Sequence, residues 1–155
     1  ALLNGEPGFM FPVGCREGYE SGLSLSGLEL DPDLIQEWKH KDPSQSSYRW
    51  TLELFKNDNP PTAILFQTEA VNGIFKALDE LDLQPGKDVA LIGYDDLEIA
   101  RIHRPSLSVL RPQAREAGQR VVNILMEVIK GEDPGKFQEI HQVEMVIRET
   151  SLPPS

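Results

Sequence analysis

Cysteine is almost missing from this sequence: Cys15 is the single one in 155 residues. One thiol excludes an internal disulfide, and without a CxxC pair there is no zinc-ribbon or dithiol redox motif. Histidine is nearly as scarce. His40, His103 and His141 lie far apart, and none has a partner at the i+2 or i+4 spacing of a hairpin or helical metal site. No metal and no cofactor are expected. No apolar run approaches the roughly 18 to 20 residues that span a bilayer, so no membrane attachment is expected either. Bases are the minority, 15 against 25 acids, for a net charge of −10. Such a surface repels phosphate backbones, which argues against nucleic-acid binding by this stretch itself. The phosphate-cradling loops GxxxxGK(S/T) and GxGxxG are absent, and so is the GxSxG nucleophile elbow. No methionine and no charged signal-peptide head precede ALLNG. That opening reads as a core strand and its turn, so the chain is expected to be a fragment of something longer.

What is present is the alternation of an α/β domain. ALLNG is a short strand followed by the breakers Gly5, Pro7 and Gly8. CREGYESGLSLSG is a modest helix candidate, weakened by its glycines and serines. DPDL suggests a helical turn and LIQEW a strand. After a cap at Asp42 or Ser44, the residues Tyr48, Leu52 and Phe55 recur at helical spacing and predict an apolar stripe with Tyr48 in the core. TAILF and VALIGY are continuous apolar runs. Between them TEAVNGIFKALDELDLQPG places Ala70, Ile74, Ala77, Leu78 and Leu81 on one helical face. This is a βαβ unit, and unbroken strands of this kind predict a mostly parallel sheet covered on both faces. LEIARIHRP reads as a loop or short turn, and SLSVL as a brief extended segment. A long helix follows, with Ala114, Ala117, Val121, Leu125 and Val128 as its stripe, widened by Val122, Ile124 and Ile129. EMVIRETS closes as a strand, and the tail LPPS is expected to fray. The wide face of the long helix demands a partner in this sheet, in a missing subdomain, or in a second copy.

The candidate site residues collect where the strands end. In open α/β sheets, ligands bind beyond the carboxyl ends of the parallel strands. GYDD lies there, and of its adjacent acids Asp95 is expected to face a ligand while Asp96 supports the following loop. The competing reading is a plain turn, in which Asp is favoured for its own hydrogen bonds. Adjacent acids do not span a substrate as a glycosidase pair does, so catalysis is not expected. Gln67, Thr68 and Glu69 end the other strand and offer either ligand contacts or ordinary capping, with Thr68 a candidate cap. Arg16, beside Cys15 and Tyr19, is a ligand or carboxylate partner or else a solvated side chain. Cys15 reads as a small buried hydrophobe. Arg101, His103 and Arg104 face three alternatives: a ligand, a partner subunit, or Asp96. Trp50 lies half off its helical stripe, as a groove or interface aromatic would.

PTAILFQTEAVNGIFKALDELDLQPGKDVALIGYDD, then HRPSLSVLRPQAREAGQRVVNILMEVIKG and VIRETS, resemble the effector domain of LacI/GalR-family transcriptional regulators. ALLNG followed by REGY fits the same pattern, so the likeness covers nearly the whole chain. It implies one lobe of a periplasmic-binding-protein-like (type I) fold, a mostly parallel sheet flanked by helices. Residues 1–110 would form the C-terminal lobe. Residues 111–132 would be a long helix packed on an absent N-terminal lobe or another subunit, and 133–155 a closing strand and tail. The implied protein is a cytoplasmic homodimer that senses a small polar, sugar-like effector. It would touch operator DNA only through an N-terminal helix-turn-helix domain outside this chain. A solute-binding protein for sugar transport, or a dimerisation module with a vestigial pocket, would share the fold. Asp95 matches the effector-binding first Asp of the family's G(Y/F)DD. The family's arginine in RxxG(F/Y) falls on Cys15, with Arg16 one residue off. The family's Asn-Asp pair falls on Thr68 and Glu69.

Overall fold

The computed structural model describes residues 1–6, 9–38 and 42–151. Pro7, Gly8, His40 and the LPPS tail lie outside the described residues. Six strands form one sheet: β1 (Leu2–Asn4), β2 (Ile35–Glu37), β3 (Ala63–Gln67), β4 (Ala90–Tyr94), β5 (Ser108–Arg111) and β6 (Glu144–Val146). Their order is β2-β1-β3-β4-β5-β6, parallel throughout except for the antiparallel β5–β6 pair. The chain moves from β1 outward to β2, then returns past β1 to lay down β3 and β4. The winding therefore reverses between β1 and β3, which fixes the switch point of the sheet.

Among the described residues, five α-helices accompany the strands: α1 (Met10–Leu25), α2 (Pro43–Leu54), α3 (Val71–Glu80), α4 (Glu98–Ile102) and α5 (Ala114–Ile129). α1 begins well before the predicted CREGY segment. Pro12 is tolerated because it sits in the first turn, where its missing N–H has no intrahelical acceptor. α2 starts as expected at Asp42, whose carboxylate accepts from the Gln45 amide at 2.9 Å. LEIARI, read as a loop, forms the short helix α4.

The core lies on the α2/α3 side of the sheet. Ile64, Phe66, Leu91 and Val109 from the strands meet Val71, Ile74 and Leu78 of α3, all buried. Each fully buried side chain of this size contributes about 1.5 to 3 kcal/mol. The α3 stripe is as predicted except at Leu81, which is only half-buried.

The α2 stripe is not as predicted. Ser47, Thr51 and Leu54 are its buried residues, while Tyr48, Leu52 and Phe55 are half-buried. The cause is the close approach of α2 to Gly73 of α3, where an added Cβ would lie 1.9 Å from the Ser44 carbonyl oxygen and 2.1 Å from Ser47 Oγ. Ser47, a small residue, fits that contact. Tyr48 is turned to the rim instead, where its hydroxyl donates to Glu80 Oε2 at 2.6 Å and Lys76 lies over its ring.

Coverage of the two faces is unequal. Along β3 and β4, Leu65 and Ile92 are only half-buried, and they border a pocket of about 430 Å³ beneath α1. α4 falls on the α3 side, where the His103 ring just after it meets Phe75 at a tilt, centroids 4.4 Å apart, leaving the opposite face of β4 less covered. α5 differs most of all: none of its residues is buried, and Val121 and Ile129 are 62% and 68% exposed.

Candidate functional site

The carboxyl ends of the parallel strands bring several predicted residues to one edge. β4 delivers Asp95 in the left-handed region, at φ 72°. Its backbone is held from both sides. The Asp95 amide donates to the Leu110 carbonyl of β5 at 2.9 Å, and its own carbonyl lies 2.9 Å from Thr68 Oγ1. The Thr68 hydroxyl also reaches the Tyr94 carbonyl, so one proton is shared between two acceptors. Gly93 makes this possible, since a Cβ there would meet Thr68 Oγ1 at 2.5 Å. Thr68 is fully buried. Of the two roles expected of it, ligand contact or capping, it makes no helix cap, and its hydroxyl is spent on the Asp95 turn.

At the switch point, Gln67 ends β3 and its amide lies across the backbone of Gly5. A Cβ on Gly5 would come within 2.5 Å of Gln67 Nε2. Next to it, Asn4 is buried at the end of β1. Its Nδ2 donates to the Pro12 carbonyl at 2.7 Å, while its Oδ1 has no protein partner. Glu69 is exposed.

α1 lowers Cys15 onto this edge. Cys15 is buried, close enough to the Tyr94 phenol for each to perturb the other's titration. Burial pushes the thiol pKa up, the nearby Tyr94 phenol draws it down, and the Asp95 charge adds to the rise, so the net direction is upward. Burial and the Cys15 contact also push the Tyr94 phenol far above its ordinary value. Both groups are therefore neutral hydrogen-bonding surfaces near pH 7. Phe11 meets the Tyr94 ring edge-on, 5.7 Å between centroids. Arg16 does not join them. Its guanidinium pairs with Glu20 at 2.8 Å and with Glu37 at the end of β2 at 3.3 Å. Tyr19 borders the pocket beneath α1.

Asp96 is turned into a cluster of arginines. Its side chain is 3% exposed and meets Arg101 at 2.7 Å, Arg148 at 2.7 Å and Arg111 at 3.4 Å. Burial alone would raise its pKa, but the hydrogen bonds and charges of Arg101 and Arg148 outweigh that and hold the carboxyl below its usual range. A carboxylate so held is poorly matched to proton transfer near pH 7. The alternatives for the basic trio resolve accordingly. Arg101 joins Asp96, Arg104 Nη1 donates to the carbonyls of Arg101 and His103, and His103 lies 2.9 Å from Asn72 Oδ1. Burial lowers the His103 pKa. Trp50 is half-buried and lines, with Trp38, a groove of about 520 Å³ beside α2. Among the described residues, no group of three His, Cys, Asp or Glu side chains converges as a metal site would, and no helix is long and apolar enough to cross a membrane.

Four residues of this edge escaped the sequence reading: Asn4, Phe11, Tyr94 and Trp38. Tyr94 and Trp38 were legible in principle, since each ends or follows a predicted strand at the carboxyl side. Asn4 and Phe11 are recruited by the fold of α1, which sequence periodicity did not reveal.

Comparison with known proteins adds a frame. The family of periplasmic binding protein-like domains matches residues 12–151. The chain is 28% identical over 159 aligned residues to the HTH-type transcriptional regulator AglR of Rhizobium meliloti, spanning 99% of this chain and 44% of AglR. It is 27% identical over 139 residues to the HTH-type transcriptional repressor PurR of Haemophilus influenzae, spanning 86% of this chain and 40% of that protein. The chain thus spans less than half the length of these curated relatives. In fold it superposes on a sugar-binding transcriptional regulator of the LacI family from Escherichia coli, crystallised with phosphate. The TM-score is 0.86 at 24% identity, over 99% of this chain and 55% of that one.

Proposed function

We propose that this chain, which belongs to the family of periplasmic binding protein-like domains, is the effector-sensing part of a LacI/GalR-type transcriptional regulator. In this reading it supplies one wall of a ligand cleft and catalyses nothing. The carboxyl edge described above is that wall. A second lobe, outside this chain, is the other wall, and the exposed face of α5 packs on that lobe or on a second copy. Operator DNA is met by a helix-turn-helix domain outside this chain, and a homodimer carries the response. A ligand that binds one lobe arrangement better than the other shifts the population between them, and a few kcal/mol of difference changes DNA occupancy severalfold.

The observation that carries this reading is Asp95, a carboxylate held in a strained left-handed turn at the carboxyl edge, with its backbone pinned by Thr68 and Leu110. Strain of this kind persists where the side chain has work to do. Gln67 at the switch point, the Cys15 thiol and the exposed Glu69 are its proposed companions. Arg16, committed to Glu20 and Glu37, orients the wall rather than gripping the ligand.

The charge balance of the wall points to a ligand class. Asp95 and Glu69 contribute negative charge, Cys15 is neutral, and Arg16 and Arg111 are already paired with carboxylates. Such a wall favours hydroxyl and amine donors and disfavours anions. The proposed effector is therefore a neutral or amino sugar rather than a sugar phosphate. Calorimetric titration of the two-lobed protein with neutral sugars, amino sugars, sugar phosphates and purines tests this. A neutral or amino sugar is expected to bind, and Asp95→Asn to weaken it at least tenfold, the lower end for a hydrogen bond to a charged group. Unchanged affinity in Asp95→Asn, or tighter binding of a phosphate than of its parent sugar, contradicts the proposal. Cys15 at the position of the family's arginine favours a second reading, a dimerisation module with a vestigial pocket. An intact dimer that binds nothing in the panel decides for that reading.

A further inference from the structure

Both tryptophans of the sequence, Trp38 and Trp50, line one groove, and the cleft wall uses neither. The groove holds about 520 Å³ and lies at the outer edge of the sheet, between the end of β2 and α2. Cavities of roughly 300 to 1,000 Å³ suit small ligands. α2 turns Ser46, Arg49, Trp50 and Glu53 toward it at helical spacing, and the end of β2 supplies Glu37 and then Trp38.

The two indoles are seated. The Trp38 amide donates to the Asn4 carbonyl at 3.2 Å, which carries the β2–β1 pairing one residue further. Each indole packs in part against the core, stays half-buried, and borders the groove with the rest. Indole surface left open to water on both sides of one groove is surface that a flat apolar ring would cover.

The charges of the groove do not balance. Glu37 has the Arg16 guanidinium at 3.3 Å, and Glu53 has Lys56. Each acid therefore has its own cation. Arg49 is exposed and, among the described residues, has neither an ion pair nor a hydrogen bond. The Ser46 hydroxyl has no partner among them either. In a chain of net charge −10 this groove keeps one cation unanswered by an acid. A planar guanidinium fits a carboxylate through two parallel hydrogen bonds, so what the groove lacks is a carboxylate beside a ring. A sugar would also stack on indole, but it would leave Arg49 without an anion.

We infer that this groove is a second binding site, apart from the cleft wall, for a small aromatic carboxylate. The ring lies against Trp38 and Trp50, the carboxylate meets Arg49, and the Ser46 hydroxyl is a further donor. Asp95 takes no part, so the site stands or falls separately from the proposed effector cleft.

The test is nuclear magnetic resonance of the isotope-labelled full chain. Two tryptophans give two indole N–H resonances, and both report on the groove. The probe is 2-naphthoate. Its controls are 2-naphthamide, the same ring without the charge, acetate, the charge without a ring, and glucose. Naphthoate is expected to shift both indole resonances saturably and to bind about threefold or more tighter than naphthamide, the scale of an ion pair near the surface. Acetate and glucose are expected to shift neither. Arg49→Gln, at an exposed position, is expected to remove the preference for naphthoate while leaving naphthamide affinity and thermal stability unchanged. Equal affinity for naphthoate and naphthamide overturns the inference, and so does undiminished naphthoate binding in Arg49→Gln. Shifts that grow linearly without saturating, or that glucose produces and naphthoate does not, overturn it as well. Asp95→Asn is expected to leave naphthoate binding unchanged, so a failure of this site and a failure of the cleft are separate results.

Discussion

Replacing Asp95 by glycine should separate what this residue does for the fold from what it does for a ligand. At φ 72° the backbone of Asp95 is left-handed. That conformation costs an L-residue roughly 1 to 2 kcal/mol, somewhat less for Asp, and glycine nothing. Glycine in turn releases about 0.4 to 1 kcal/mol of extra chain entropy to the unfolded state. The difference leaves Asp95→Gly between neutral and about 1 kcal/mol more stable than the parent. For a domain of this size that is a rise in Tm of zero to about 4 °C. Asp95→Ala keeps the strain without aspartate's local hydrogen bonding, and should fall about 0.5 to 1 kcal/mol below the parent. Urea unfolding of the three proteins gives the order Gly at or above Asp, and Asp above Ala, while calorimetry gives loss of effector binding in both variants. A loss of more than 1 kcal/mol in Asp95→Gly would refute the reasoning, because it would mean that the carboxylate itself holds the turn together.

Gly73→Ala should destabilise the chain by about 1 to 3 kcal/mol in the same urea assay, because its methyl would enter the Ser44 carbonyl and α2 would have to move as a body. Thr150→Val, nearly isosteric, removes the hydroxyl that accepts from the Ser108 amide at 2.9 Å and donates to the Leu91 carbonyl at 2.8 Å, both buried. An unsatisfied buried group costs about 1 to 3 kcal/mol, so Thr150→Val should lose at least 1 kcal/mol while Thr150→Ser stays close to the parent. Asp96 has a lower pKa folded than unfolded, so its contribution to stability is fully present above about pH 4 and is lost as the pH falls through the folded value. Acid titration of thermal stability should therefore show a steeper fall below pH 4 in the parent than in Asp96→Asn.

The unit β3–α3–β4 was legible because every local signal agrees there. Continuous apolar runs, an uninterrupted helical face and the Pro85–Gly86 stop leave one solution. The prediction for α2 failed because apolar spacing says nothing about how near a neighbour comes. Gly73 admits α2 so closely that Ser47 and Thr51 displace Tyr48 and Leu52 from the interior. α1 was placed too late because glycine and Pro12 dilute its pattern, although proline in a first turn breaks nothing. At the edge, the turning of Asp96 toward the following loop followed from strand geometry. The partners of Asp96 did not, since Arg111 and Arg148 lie 15 and 52 residues away and only the folded sheet brings them together. The apolar face of α5 was read correctly as a pattern, but a pattern does not name what covers it.

The way the C-terminal residues close over the sheet bears on how the chain is made. Glu149–Ser151 form a short 3-10 turn whose Glu149 carboxylate accepts from the Ser106 amide at 2.7 Å, while Thr150 bridges β4 and β5. A ribosome releases residues from the amino end first, at about 5 to 20 per second. Ser108 emerges 42 residues ahead of Thr150. The buried Ser108 amide of β5 therefore waits for about 2 to 8 seconds for its acceptor, and the Leu91 carbonyl of β4, 59 residues ahead of Thr150, for longer. Closure of this sheet therefore waits for residues 149–151, and a chain that stops before Glu149 has every strand and no closure, recognisable as unfinished to a protease.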